Sequence, residues 1–124
     1  MKILLLGNLN RPSTYIQHIY AYLRERGNEV RWTDAKATVE ELSNCDIAIS
    51  WMYRHILSRE HIEAPKLKAI INNHPGLLPL QRGAMPNVWA IVNRDKAGVT
   101  MHYMDEGIDT GPIIAQQEVG VLPT

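Results

Sequence analysis

Apolar runs closed by turn residues alternate with stretches of helical spacing along most of the chain. Lys2-Ile3-Leu4-Leu5-Leu6-Gly7 is unbroken and ends on Gly, the pattern of a central parallel strand covered on both faces. Ile16, Ile19, Tyr20 and Leu23 then recur at helical spacing, with Pro12 and Ser13 suited to the helix start and Gly27 to the residue after its end. Glu29 to Thr33 reads as a second strand, so residues 1–33 predict a β-α-β unit with a right-handed crossover. Thr38-Val39-Glu40-Glu41 offers a capping box to a short helix, with Thr38 as its cap. Asp46 to Trp51 is the next buried strand; Met52 to Leu57 leaves its C-terminal end, and a helix capped near Ser58 ends before Pro65. Lys68 to Asn72, Gly98 to Tyr103 and Ile113 to Glu118 complete the strands, with a helix near Pro86 carrying Val88, Trp89, Ile91 and Val92. This alternation predicts an α/β fold with a mostly parallel central sheet flanked by helices.

At 124 residues the chain is expected to form one domain that buries roughly two-thirds of its unfolded surface. Thirteen basic residues balance thirteen acidic ones, which disfavours a wide electrostatic grip on nucleic acid. A lone Cys45, with no signal peptide and no long apolar span, points to a reducing cytoplasm and away from a membrane. The five histidines do not suggest a metal: His55 and His61 are six apart, without paired Cys or a dense carboxylate cluster, and His18 lies on the solvated side of the first helix.

Candidate chemistry concentrates between Ile70 and Gly111. In Ile70-Ile71-Asn72-Asn73-His74-Pro75, strand alternation sends Asn72 and His74 to one side and Asn73 to the other. A fixed donor beside a titratable base is what acyl transfer to an amine requires, one for the oxygen that turns negative and one for the proton the nitrogen loses. Asp109, in the Gly-punctuated loop after Gly98-Val99-Thr100-Met101-His102-Tyr103, is the best carboxylate to orient the imidazole. Taken in isolation, an Asn or His at a strand end reads first as turn chemistry or a satisfied hydrogen bond, and it is the wider pattern that changes this. Gly7-Asn8-Leu9-Asn10-Arg11-Pro12-Ser13 joins a strand C-terminus to a helix N-terminus, where Asn8 or Arg11 could meet a phosphate; a polar turn is the alternative. It lacks Gly-x-Gly-x-x-Gly, so NAD is not inferred.

Taken together, Asn72, His74, Pro75, Leu77, Leu78 and Pro79, then Arg82-Gly83-Ala84, Trp89, Gly98-Val99-Thr100, His102 and the Asp105-to-Pro112 loop resemble, in order, the folate-dependent formyltransferases. The resemblance implies a Rossmann-like formyltransferase fold, the triad Asn72, His74 and Asp109, and N10-formyltetrahydrofolate as formyl donor. It also implies that Tyr53, Arg54, His55, Ile56 and Leu57 form one wall of the folate pocket and Met104, Asp105, Glu106, Gly107 and Ile108 the other. Core packing is the alternative for Met52, Ile56 and Leu57. His102 is expected beside the pocket, orienting Asp109 or a water between them.

Arg82 to Trp89, the Tyr53-to-Leu57 loop and the short passage from Thr33 to Asp46 look most like the branch that formylates nucleotide-linked amino sugars. On that resemblance Arg82, Gly83 and Asn87 join Asn8 and Arg11 of the first loop as candidate contacts to sugar or phosphate, whereas Trp89, on an otherwise apolar helix with Val88, Ile91 and Val92, reads as core. Methionyl-tRNA or a nucleotide precursor such as glycinamide ribonucleotide is the alternative acceptor, and a non-catalytic folate-binding domain the alternative of another class. Gly76 and Asn73 depart from the family pattern without touching the triad. The family's domain continues past the position of Thr124, so the expectation is a domain incomplete at its C-terminus, with a homodimer or a partner subunit over an exposed sheet face.

Overall fold

The computed structural model describes residues 1–11, 15–75, 78, 97–105 and 110–119. Its elements run β1 (Lys2–Leu6), α1 (Ile16–Glu25), β2 (Glu29–Thr33), α2 (Val39–Ser43), β3 (Ile47–Trp51), α3 (Arg59–Ile62), β4 (Ala69–His74), β5 (Ala97–Tyr103) and β6 (Ile113–Val119). Among the described residues the sheet is six-stranded in the order β2-β1-β3-β4-β5-β6, which bears out the α/β expectation. The chain divides into two compact units, Met1–Ile71 and Asn72–Thr124.

In the first unit β1 pairs in parallel with β2 on one side and β3 on the other, Ile3 standing opposite both Val30 and Ile47. Ile3 to Leu6 are all buried, so both faces of the strand are covered, as the continuous apolar run predicts. On one face Ile3, Leu5, Ile16, Val30 and Ile49 form a core, with Ile19, Tyr20 and Leu23 of α1 packed against it. Each fully buried aliphatic side chain contributes about 1.5–3 kcal/mol, and this packing is what fixes the helical face read from the sequence. Gly7 ends β1 under a tight roof: a Cβ there would meet the Ile16 side chain and the Trp51 carbonyl at 2.6 Å each.

The helix ends carry their own signals. α1 begins later than the Pro12-Ser13 start predicted; Tyr15 precedes it in a left-handed conformation (φ 60°), and Pro12 and Ser13 lie outside the described residues. At its other end Gly27 (φ 87°) donates to the Arg24 carbonyl and Asn28 to that of Leu23, the paired bonds of a glycine-terminated helix. Thr38 caps α2 as predicted: its hydroxyl accepts from the Glu41 N–H at 3.1 Å while the Glu41 carboxylate accepts from the Thr38 N–H. At α3 a histidine plays the acidic residue's part, His61 Nδ1 lying 2.7 Å from the Ser58 hydroxyl and accepting from its N–H.

β4 runs two residues beyond its expected end, through His74. The physical reason is Pro75, which biases the residue before it towards extended backbone, so the proline ends the strand after the histidine rather than before it. In the second unit β5 and β6 are antiparallel, and the register shifts by one between Met101 and His102, a bulge that leaves His102 opposite Ile113. Alternation along β5 buries Thr100 and His102 on one face and exposes Val99 and Tyr103 on the other.

Candidate active site

Strand geometry puts Ile70, Asn72 and His74 on one face of β4, where His74 is only 4% exposed. Within the second unit the Asn72 carboxamide nitrogen lies 3.1 Å from Nε2 of His102, and Nδ1 of that ring lies 2.9 Å from the Tyr103 carbonyl. Asn72 thus reaches the end of β4 already held by a buried group on β5. The expectation that His102 orients Asp109 is joined by a contact the sequence reading missed, and thirty residues of separation left no local signal for it.

Thr100 ties down the chain that follows His74. Its hydroxyl oxygen accepts from the Leu78 N–H at 3.2 Å and from the Gln116 amide at 3.0 Å, and the same Gln116 nitrogen donates to the Leu78 carbonyl at 2.6 Å. Leu78 is therefore clamped through both backbone polar groups. Gln116 was not singled out in the sequence, because a Gln on a hairpin strand carries no motif.

The loop expected to hold the triad carboxylate is pinned at its two ends. Thr110 donates to the Asp105 carboxylate at 2.6 Å, and the Tyr103 N–H donates to the Pro112 carbonyl at 2.8 Å. Gly111 allows this closure, since a Cβ there would fall on the Tyr103 carbonyl. Glu106, Gly107, Ile108 and Asp109 themselves lie outside the described residues, as do Arg82, Gly83, Asn87 and Trp89.

In the first unit, the loop after β3 is anchored by its polar side chains. The Tyr53 hydroxyl donates to the Ala35 carbonyl at 2.5 Å and accepts from the Ala37 N–H at 2.9 Å, and its burial pushes the phenol pKa up. His55 Nε2 lies 3.0 Å from the Asp34 carbonyl, and the Arg54 guanidinium lies 3.4 Å from the Asp34 carboxylate. Alongside the exposed Arg54, this loop presents two apolar side chains to solvent, Met52 at 63% and Ile56 at 81% exposure, while Leu57 turns inward. Burial of the Leu57 side chain matches the packing alternative, and the exposure of Met52 and Ile56 does not. Asn8, Arg11, Asp34, Trp51, Met52 and Arg54 line a cleft of about 290 Å³ in the same unit. Asn8 shapes its rim, its side-chain oxygen accepting from the Asn10 N–H at 2.9 Å.

Residues 10–124 match the family model described as formyl transferase. The methionyl-tRNA formyltransferase of Thermodesulfovibrio yellowstonii is 47% identical over 79 residues, which is 63% of this chain and 25% of that protein. That of Desulforamulus reducens is 38% identical over 97 residues, 77% of this chain and 30% of that protein. The crystal structure of the formyltransferase PseJ from Anoxybacillus kamchatkensis, in complex with UDP-4,6-dideoxy-4-formamido-L-AltNAc and tetrahydrofolate, superposes with a TM-score of 0.84 at 37% identity, over 98% of this chain and 62% of that one. The matches to the curated relatives thus span a quarter to a third of their length.

Proposed function

This chain belongs to the formyl transferase family, and from that premise we propose that it transfers a formyl group from N10-formyltetrahydrofolate to a primary amine on a nucleotide-linked amino sugar. The observation that carries the reading is the end of β4, where an amide and a buried imidazole share one face. In this role Asn72 donates to the oxygen that gains negative charge as the amine attacks the formyl carbon, His74 takes the amine's proton, and Asp109 orients His74 and relays that proton to the donor nitrogen, which leaves as its bond to the formyl carbon breaks. The bound donor supplies an activated formyl carbon. The exposed Met52 and Ile56 fit such a ligand, since they offer an apolar surface at the C-terminal end of β3, the sheet edge where open α/β folds take ligands. We assign Tyr53 to Leu57 and Met104 to Ile108 to the donor. Asn8 and Arg11, at the rim of the 290 Å³ cleft, are assigned to the acceptor's phosphates together with Arg82, Gly83 and Asn87. A buried free Cys45 is in keeping with a cytoplasmic setting, and among the described residues no helix is long and apolar enough to cross a membrane.

Support for the sugar acceptor comes from PseJ, which carries a UDP-linked formamido sugar and matches nearly the whole chain. A second reading, formylation of methionyl-tRNA, is favoured by the names of curated relatives similar in sequence. The two are separated by presenting UDP-, dTDP- and GDP-linked amino sugars, methionyl-tRNA and glycinamide ribonucleotide in turn, with mass detection of the formylated product. Product from a nucleotide sugar is the expected result; product from methionyl-tRNA alone replaces the acceptor. Thermal unfolding with a stable formyl-tetrahydrofolate analogue accompanies the panel. A ligand at about a hundred times its dissociation constant adds roughly 2.7 kcal/mol, several degrees in the midpoint. A shift without turnover of any acceptor would leave a folate-binding domain, and no shift would retire the donor as well.

A further inference from the structure

We propose that His102 is a positioning residue: held as the neutral tautomer with its proton on Nδ1, it fixes the carboxamide of Asn72 in the orientation that presents N–H groups for catalysis. The inference rests on Asn72 being the oxyanion donor of the proposed reaction. The Tyr103 carbonyl can only accept, so the 2.9 Å contact from the His102 ring requires the proton on Nδ1. A neutral ring so protonated offers only a lone pair at Nε2. The Asn72 atom 3.1 Å away must then be the N–H₂ group, because the amide oxygen there would set two acceptors against each other.

A primary amide turned by half a rotation about its last torsion keeps its shape and exchanges donor for acceptor. For an oxyanion donor that exchange is fatal, since it aims a carbonyl oxygen at the developing charge. The ring removes the ambiguity. One N–H of Asn72 is spent on His102 and the amide orientation that leaves the second N–H is the one retained. His102 is suited to this task because it is 2% exposed and sits at the β5–β6 bulge, where water does not compete for Nε2 and the local register shift sets the side chain's direction.

The test has two arms that fail separately. In the first, ¹⁵N-resolved NMR of histidine-labelled wild-type protein, with the His102 signals assigned by their loss in His102→Gln, reads the tautomer directly. A protonated Nδ1 with an unprotonated Nε2 is expected, and a proton on Nε2 overturns the proposal. This arm needs no turnover, so it decides the lock even if the proposed reaction is not found. In the second, His102→Ala should lower kcat by up to about 10²-fold with KM for donor and acceptor unchanged. His102→Gln, whose amide oxygen can accept where Nε2 did, should restore most of that loss. The double variant Asn72→Ala/His102→Ala should be no slower than Asn72→Ala alone, because the lock has nothing left to hold. A His102→Ala effect on KM alone, or full additivity with Asn72→Ala, overturns it. Should His102→Ala fail to fold, His102→Gln and the tautomer measurement still decide.

Discussion

In the strands of the first unit the buried side chains are aliphatic with one exception, Ser50; along β5 in the second, the buried side chains are Thr100 and His102, and β4 ends on buried His74. The first set is satisfied by contact alone. In the second, Thr100 and His102 are satisfied by named partners, and among the described residues no buried side-chain nitrogen or oxygen lacks a hydrogen bond. Burial therefore does not mean the same thing in the two regions. Around β1 it stores folding free energy with no directional demand, whereas around β5 it holds polar groups at fixed angles, which is what pre-organised chemistry needs.

If that distinction is right, substitutions should separate cleanly into those that remove activity and those that remove stability. Asn72→Ala and His74→Ala should have the largest effect on turnover, each lowering it by roughly 10²- to 10⁴-fold while the protein remains folded at the assay temperature. Asp109→Ala should fall in the same class. Rate assays beside thermal melts are the check, and wild-type turnover in any of these variants removes that residue from the proposed site. Leu5→Ala should do the reverse. With Leu5 fully buried, the variant should lose about 2–5 kcal/mol of stability, roughly 10 °C or more in the midpoint, yet retain activity per folded molecule in the cold. A loss of activity from a still-folded Leu5→Ala sample would blur the comparison.

Gln116→Ala probes the boundary between the classes, since it strips bonds from Leu78 and Thr100 without touching a reacting group. About 1 kcal/mol of stability should go, with a fall in kcat smaller than that of Asn72→Ala. The smallest effect is expected at Asp46. Its carboxylate accepts from the Lys2 N–H at 2.8 Å, and that bond, with help from the Lys68, N-terminal and Lys2 charges, holds its pKa below the usual value. A depressed folded pKa means that the contribution is present above the ordinary carboxylate range, about pH 4, and is lost as pH falls through the folded value. Asp46→Asn should therefore melt slightly below wild type at neutral pH, and the gap should close on acidification. A gap independent of pH would assign the effect to packing rather than charge.

Much of the scaffold was legible because it is written locally. The run Ile3 to Leu6, the spacing of Ile16, Ile19, Tyr20 and Leu23, the Thr38–Glu41 box and the stop at Gly27 each couple residues a few positions apart, and the structure realises them nearly as read. The boundary errors, at the start of α1 and the end of β4, arose where one residue's backbone conformation decided the matter. Family membership was legible for a similar reason, in that its motifs are short strings between Asn72 and Pro112, and it extends over residues 10–124.

Tertiary structure alone decided which polar groups meet. Nothing near Tyr53 announces that its hydroxyl will hold Ala35 and Ala37, and nothing near Asn72 names His102 as the ring against its amide. Such pairs depend on strand order, on register and on a one-residue bulge, quantities set by the packing of distant segments. The sequence by itself determined which chemistry the chain carries, an amide and an imidazole spaced two apart on a strand. Only the fold determined how that amide is turned, because a hydrogen bond is directional and its direction is set by a partner thirty residues away.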